Sequence, residues 1–347
     1  DTRAGIGGTV SAGGNDVALT AVSIQTTQAI AEGNTSGSGS TGVGAAIAID
    51  VSIMTTEAEI NNGVSITGAD GVALSATGSG ENTISGKGGA DSTAGGSTAV
   101  GGGIIVSYID QATTARIGTG GTLTATGAMS VAADHHGATT TTAEGNASGG
   151  TAIGASVAIG LVDDAALAEI ARTVSASSVS LSALGDGSSI TSATASAKGV
   201  KDDGSKANAQ KSAGTSSANT KGTSAGGSSK GTTSSASQNS SDISVAAALA
   251  VNVSGSSAEA RITGGAVTAT AGDVSLSTQN NMNAHAIASG ESATTSGNDA
   301  VGVGVAINVA DMTNSASLAV GTDVTAQGLT LSSTMRSVGG NETHDYL

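Results

Sequence analysis

The chain has 347 residues, with 54 Gly, and carries 27 acidic against 12 basic side chains, a net charge of −15. It contains no Pro, Cys, Trp or Phe, and aromatics make up 1% of it. A disulfide scaffold, a collagen helix and a core built on large rings are therefore excluded. The acidity argues against a nucleic-acid partner held through phosphates, and no window approaches the roughly 18 apolar residues of a membrane-spanning helix. Mean hydropathy is slightly positive, too apolar for a chain disordered throughout. Opening on Asp1-Thr2-Arg3 without Met, the sequence reads as a processed form or an excised piece of something longer. Absence of Cys fits an exported protein.

A short strand is expected at Val10-Ser11-Ala12, a second at Val17-Ala18-Leu19-Thr20-Ala21, a long apolar run from Val43 to Val51, and a fourth element at Ala58-Glu59-Ile60. The set returns along the chain. The long run recurs at Val100–Tyr108, Ile153–Leu161, Val245–Val253 and Val301–Val309. The second strand recurs at Val72, Met129, Val179, Val274 and Leu329, so successive starts differ by 55, 57, 50, 95 and 55 residues. Apolar residues alternate with small or polar ones at period two, and Gly, Asn or Asp marks the joints. Sister copies carry Gly where it would break a helix. The elements are strands.

One apolar face per unit must be buried by stacking copies. The expected fold is all-β: a parallel β-solenoid of about five to six repeats of ~55 residues, forming a single domain over 1–347. At ~20–28 residues per coil each repeat would supply two coils, giving a rod on the order of 55 Å at ~4.8 Å spacing. On the long runs, Val301, Val303, Val305, Ile307 and Val309 share one face and Gly302, Gly304, Ala306 and Asn308 the other. The small-residue face is expected to point outward, flat and almost uncharged, and to permit close packing of a second sheet from this chain or another.

The long interval holds a surplus at about 199–240, an insertion within the fourth repeat rich in Lys, Ser, Thr and Gly. It holds Lys201, Lys206, Lys211, Lys221 and Lys230, and Lys198 sits just before it, so six of the seven lysines cluster here. It reads either as a solvated low-complexity loop or as a basic arm that docks on an acidic wall of its own or a neighbouring rod.

Little points to catalysis. His135 and His136 are adjacent on a strand, so they face opposite ways and cannot grip one metal; a surface role is expected for both. Asp163-Asp164 is expected in a solvated turn. Gly88-Gly89-Ala90-Asp91 and Gly297-Asn298-Asp299 lack the tandem spacing of a calcium roll, which leaves an occasional Ca²⁺ at a turn as the only metal reading and no other cofactor. No Gly-x-Ser-x-Gly elbow or phosphate loop is present; Gly101-Gly102-Gly103 reads as a place of close backbone approach. An enzyme is not expected.

The units Ala300–Val309 and Val324-Thr325-Ala326-Gln327-Gly328 resemble repeats of giant bacterial filamentous adhesins, the filamentous-haemagglutinin-like and leukotoxin-like surface proteins. The resemblance spans nearly all of the chain outside 199–240. It implies an exported right-handed β-helix at the bacterial cell surface or in an extracellular fibre, and it supplies no catalytic residues. The expected role is structural, a filament subunit or segment that self-associates into a homopolymer or continues into a longer chain, with no membrane insertion. The alternative is an adhesin module that binds a glycan or protein receptor.

Overall fold

A computed structural model describes residues 1–37, 41–92, 98–197, 243–293, 299–338 and 347. Among them there are strands and no helix. The chain runs through β1 (Thr2–Ile6), β2 (Val10–Gly37), β3 (Thr41–Ile60), β4 (Ile66–Ser92), β5 (Thr98–Ile117) and β6 (Leu123–Thr124). It continues through β7 (Met129–Ser148), β8 (Thr151–Ile170), β9 (Val174–Ala176), β10 (Val179–Ala197) and β11 (Ile243–Ile262). The remaining strands are β12 (Ala266–Ala269), β13 (Val274–Asn280), β14 (Met282–Ser292), β15 (Asp299–Leu318), β16 (Asp323–Thr325) and β17 (Leu329–Met335).

Three parallel sheets result. The front sheet has the order β1-β3-β5-β8-β11-β15, the back sheet β2-β4-β7-β10-β13-β17 with β14 also on β10, and the narrow side sheet β6-β9-β12-β16. Each circuit passes along the back, reverses, returns along the front, and crosses the side. This is a stack of parallel strands of the β-helix type. Thr41 pairs with Thr98, Thr98 with Thr151, Thr151 with Ile243 and Ile243 with Asp299. A circuit therefore consumes a whole unit, and the expected two coils per unit become one broad coil. The reason is strand length: the long run and the element after it, read above as separate, form one unbroken strand of 20 residues.

Where three sheets meet, the interior is wide. Ile60, Ile117, Ile170 and Ile262 form one fully buried column, and Leu19, Leu74, Val131, Leu181 and Leu276 another. Gly63 and Gly265 turn the corner into the side sheet with φ of 74° and 81°, a backbone state that a Cβ disfavours. In the β8 circuit the corner is held differently. The buried Arg172 donates to the carbonyls of Val64 (2.6 Å), Asn61 and Thr119 (both 3.0 Å) and Gly118, tying its own circuit to the two before it. Burial lowers its pKa.

Away from the side sheet the molecule narrows until front and back touch. A Cβ on Gly33, Gly88 or Gly145 would overlap the backbone of Ala45, Gly102 or Ala155 across the gap. Gly101 faces Asn146 in the same way, so close backbone approach is what this Gly run provides. The core here is alanine with Ile84 and Ile105. The orientation expected for the long runs is therefore reversed. Small residues such as Gly44, Ala46 and Ala48 point inward, and Val43, Ile47 and Ile49 point to solvent. Close sheet-on-sheet packing does occur, within this chain, on the inner side.

Candidate interaction surfaces

The reversal creates the dominant surface feature. Across β3, β5, β8, β11 and β15 the outward positions stay in register, so apolar residues line up as columns along the stack. One column is Ile49, Val106, Ile159, Val251, Ile307; the next is Val51, Tyr108, Leu161, Val253, Val309. Ile47, Ile49 and Val51 are 64–66% exposed, and Val301 to Val309 retain about half their area. Ala45, Gly102, Ala155 and Ala247 form a shallow furrow between two ridges of branched aliphatic side chains. No charged residue occupies the outward positions between registers 43 and 51 on these five strands.

Acidic groups border this field. The next outward column holds Asp110, Asp163 and Asp311. Burial raises the pKa of Asp163, and the neighbouring charges of Asp110 and Asp164 raise it further. Beyond lies a ladder of alternating sign, in which Glu59, Arg116, Glu169 and Arg261 occupy one register on successive strands. Arg116 reaches Glu59 at 3.2 Å and Glu169 at 2.9 Å, and Arg261 reaches Glu169 at 3.2 Å and Glu259 at 2.7 Å. Arg3 adds Glu57 at 3.5 Å, and also pairs with Glu59. These side chains line an open groove of about 520 Å³. Every basic group there already faces a carboxylate.

Between the wide core and the narrow end runs a buried polar seam. His135 is 1% exposed, with Nδ1 3.0 Å from Thr113 Oγ1 and Nε2 3.3 Å from Asp164 Oδ1. Gly78, Gly137 and Gly187 on the back sheet leave the room that Thr113 and Asp164 fill. Asn252 accepts from Ser189 (2.6 Å) and Thr191 (3.0 Å) and donates to Asn308 (3.0 Å). The surface role expected for His135 is thus wrong, because its side of β7 faces the front sheet. His285 is buried as well. Asp163 and Asp164 lie inside β8 rather than in a turn. Alternation sends Asp163 out and Asp164 in.

His136 faces the other way, as adjacency requires, onto the outer side of the back sheet. Its Nε2 lies 3.4 Å from Asp134 and 3.2 Å from Arg336, which also donates to Asp134 at 2.8 Å. Asp186 is buried nearby, 3.6 Å from His136 Nδ1. Burial raises its pKa, and His136 and Arg336 oppose the rise. Among the described residues no cluster of three or more His, Asp or Glu is gathered for a metal.

Lys198, Lys201, Lys206, Lys211, Lys221 and Lys230 lie outside the described residues. Sequence reasoning missed the apolar front face, the ion ladder and the Arg172 staple. The ladder was visible as Ala58-Glu59-Ile60, Ala115-Arg116-Ile117, Ala168-Glu169-Ile170 and Ala260-Arg261-Ile262, with sign alternating at the middle position. No protein-family model, curated protein or solved structure matches the chain.

Proposed function

We propose that the chain is an extracellular structural protein, a β-solenoid subunit or segment of a bacterial surface filament or fibre without enzymatic activity. The observation that carries this reading is the state of the two stack ends. Among the described residues, β2 and positions 41–55 of β3 have no strand on their free side, and β15 and β17 end the other side. The free edges of β2 and β15 run 28 and 20 residues, and an unpaired edge is a template for another strand. Monomeric proteins blunt such edges with Lys, Pro or β-bulges; β2 and β15 carry no Lys or Pro, and the irregularity of β2 is confined to its start, between Ser11 and Val17. A further rung, from a second copy or from more of the same polypeptide, would extend the stack with its columns in register. Repeats of ~55 residues and right-handed winding suit this reading, since parallel crossovers are right-handed in about 98% of cases. The resemblance to filamentous adhesin repeats points the same way.

Negative-stain electron microscopy at low and high salt tests the proposal. Long uniform fibres are the expected result. Isolated short rods at every concentration would contradict end-to-end growth.

A further inference from the structure

We propose that the outer face of the front sheet is a docking surface for a second copy of this chain, sheet against sheet. The inference is separate from growth at the stack ends, which uses the strand edges. Five strands at ~4.8 Å and ten residues' length at ~3.3 Å span a plane of about 24 by 33 Å, roughly 800 Å². That exceeds the ~300–600 Å² of the largest apolar patch on an ordinary monomer. It matches the ~800 Å² that each partner gives to a stable interface.

Three observations select the occupant. The field is uncharged and made of ridges in regular register, an arrangement that a second such field can pack against, aligned and ~10 Å away. A two-fold axis through it lets one surface serve both partners. The Lys-rich segment 198–242 does not match the field in chemistry: Val200 is its sole branched aliphatic residue, among Lys, Asp, Gln, Ser, Thr, Gly, Ala and Asn. An anionic lipid surface is disfavoured by the border column of Asp110, Asp163 and Asp311 and by the net charge of −15. In the paired state that border stays at the rim, where it keeps water.

The test is sedimentation of the full chain from nanomolar to about 100 µM, read beside electron microscopy. Below the concentration at which fibres grow from the stack ends, wild type is expected to dimerise and Ile104→Lys with Val157→Lys to remain monomeric, a loss of at least about 100-fold in affinity. Ile104→Thr with Val157→Thr keeps β-branching and serves if the lysine pair fails to fold; its dimer is expected to weaken about tenfold. Circular dichroism confirms that each variant retains its strands. In the microscope, fibres of the lysine variant are expected to be one stack wide and those of wild type two, so lateral pairing and end-to-end growth can fail separately. A wild-type chain that stays monomeric throughout overturns the proposal. So does a dimer indifferent to both variant pairs, or a wild-type monomer that floats with phosphatidylcholine vesicles.

Discussion

The wide and narrow ends of each coil obey opposite rules within the same strand. Near the side sheet, Ile60, Ala58 and Thr56 point inward and Glu59 and Glu57 outward, the usual arrangement of apolar inside and charged outside. Toward the narrow end, Ala48, Ala46 and Gly44 point inward and Ile49, Ile47 and Val43 outward. The register of β3 on β5 is unbroken from Thr41 to Ile60, so no bulge reconciles the two halves. Apolar parity inverts while the backbone does not. In the narrow half, what fits the gap decides which residues go in, and backbone-to-backbone contact admits little beyond Gly and Ala.

That contrast can be broken at neighbouring glycines. Gly101→Val drives a side chain into the Asn146 backbone and is expected to cost at least about 3 kcal/mol, the top of the over-packing range. Gly102→Val projects outward, with no atom closer than 3.9 Å to its new Cβ, and should stay within about 0.5 kcal/mol. Urea denaturation midpoints compare the two; equal losses would refute the parity assignment.

The wide end supplies the converse pair. Ile117→Ala empties a fully buried site and should cost about 2–5 kcal/mol. Ile104→Ala, 48% exposed, should leave monomer stability within about 0.5 kcal/mol.

Parity was legible in part. Period two, repetition and the stacked parallel class all followed from the sequence, because alternation and glycine punctuation report strands directly. Orientation did not follow, since the long run and the element after it were read as two strands, each free to turn its apolar face inward. Val51, Ile53, Ala58 and Ile60 read as one strand cannot all face the same side, and that conflict is the signal that was available. The seam around His135 was hidden for a related reason: an interior polar layer looks like an exposed one when only alternation is seen. Arg172 carries no local pattern at all, because its partners lie on circuits more than 50 residues earlier.

Arg172→Met sharpens the view of the wide end as held by its corners. It leaves the carbonyls of Asn61, Val64, Gly118 and Thr119 without their donor, and a loss of about 3 kcal/mol is expected in thermal or urea unfolding. Arg116→Met on the half-exposed ladder should cost about 1 kcal/mol or less, and the loss should shrink in molar salt.

The smallest effect concerns Asp186. Burial raises its pKa in the folded chain above the ordinary 3.8, so folding binds the proton more tightly than the unfolded state does. The ionised carboxylate therefore opposes folding at neutral pH. That cost falls away as the pH drops through the raised value, and is gone below about 3.8. Asp186→Asn should be the more stable form at pH 7 and show a flatter acid-side stability profile in parallel denaturation series. A variant less stable at pH 7 would count against the sign.

Since the chain has no native Cys, cysteine accessibility on the central strand β8 gives the most direct test of inverted parity. Ala155→Cys, Ser156→Cys and Ala158→Cys are small changes at positions that alternate out, in, in. Maleimide labelling at nanomolar protein, where single stacks are selected, should modify position 155 at once. Positions 156 and 158 should react only on unfolding. Fast labelling at 156 and 158 with protection at 155 would put the branched face inside and overturn the account.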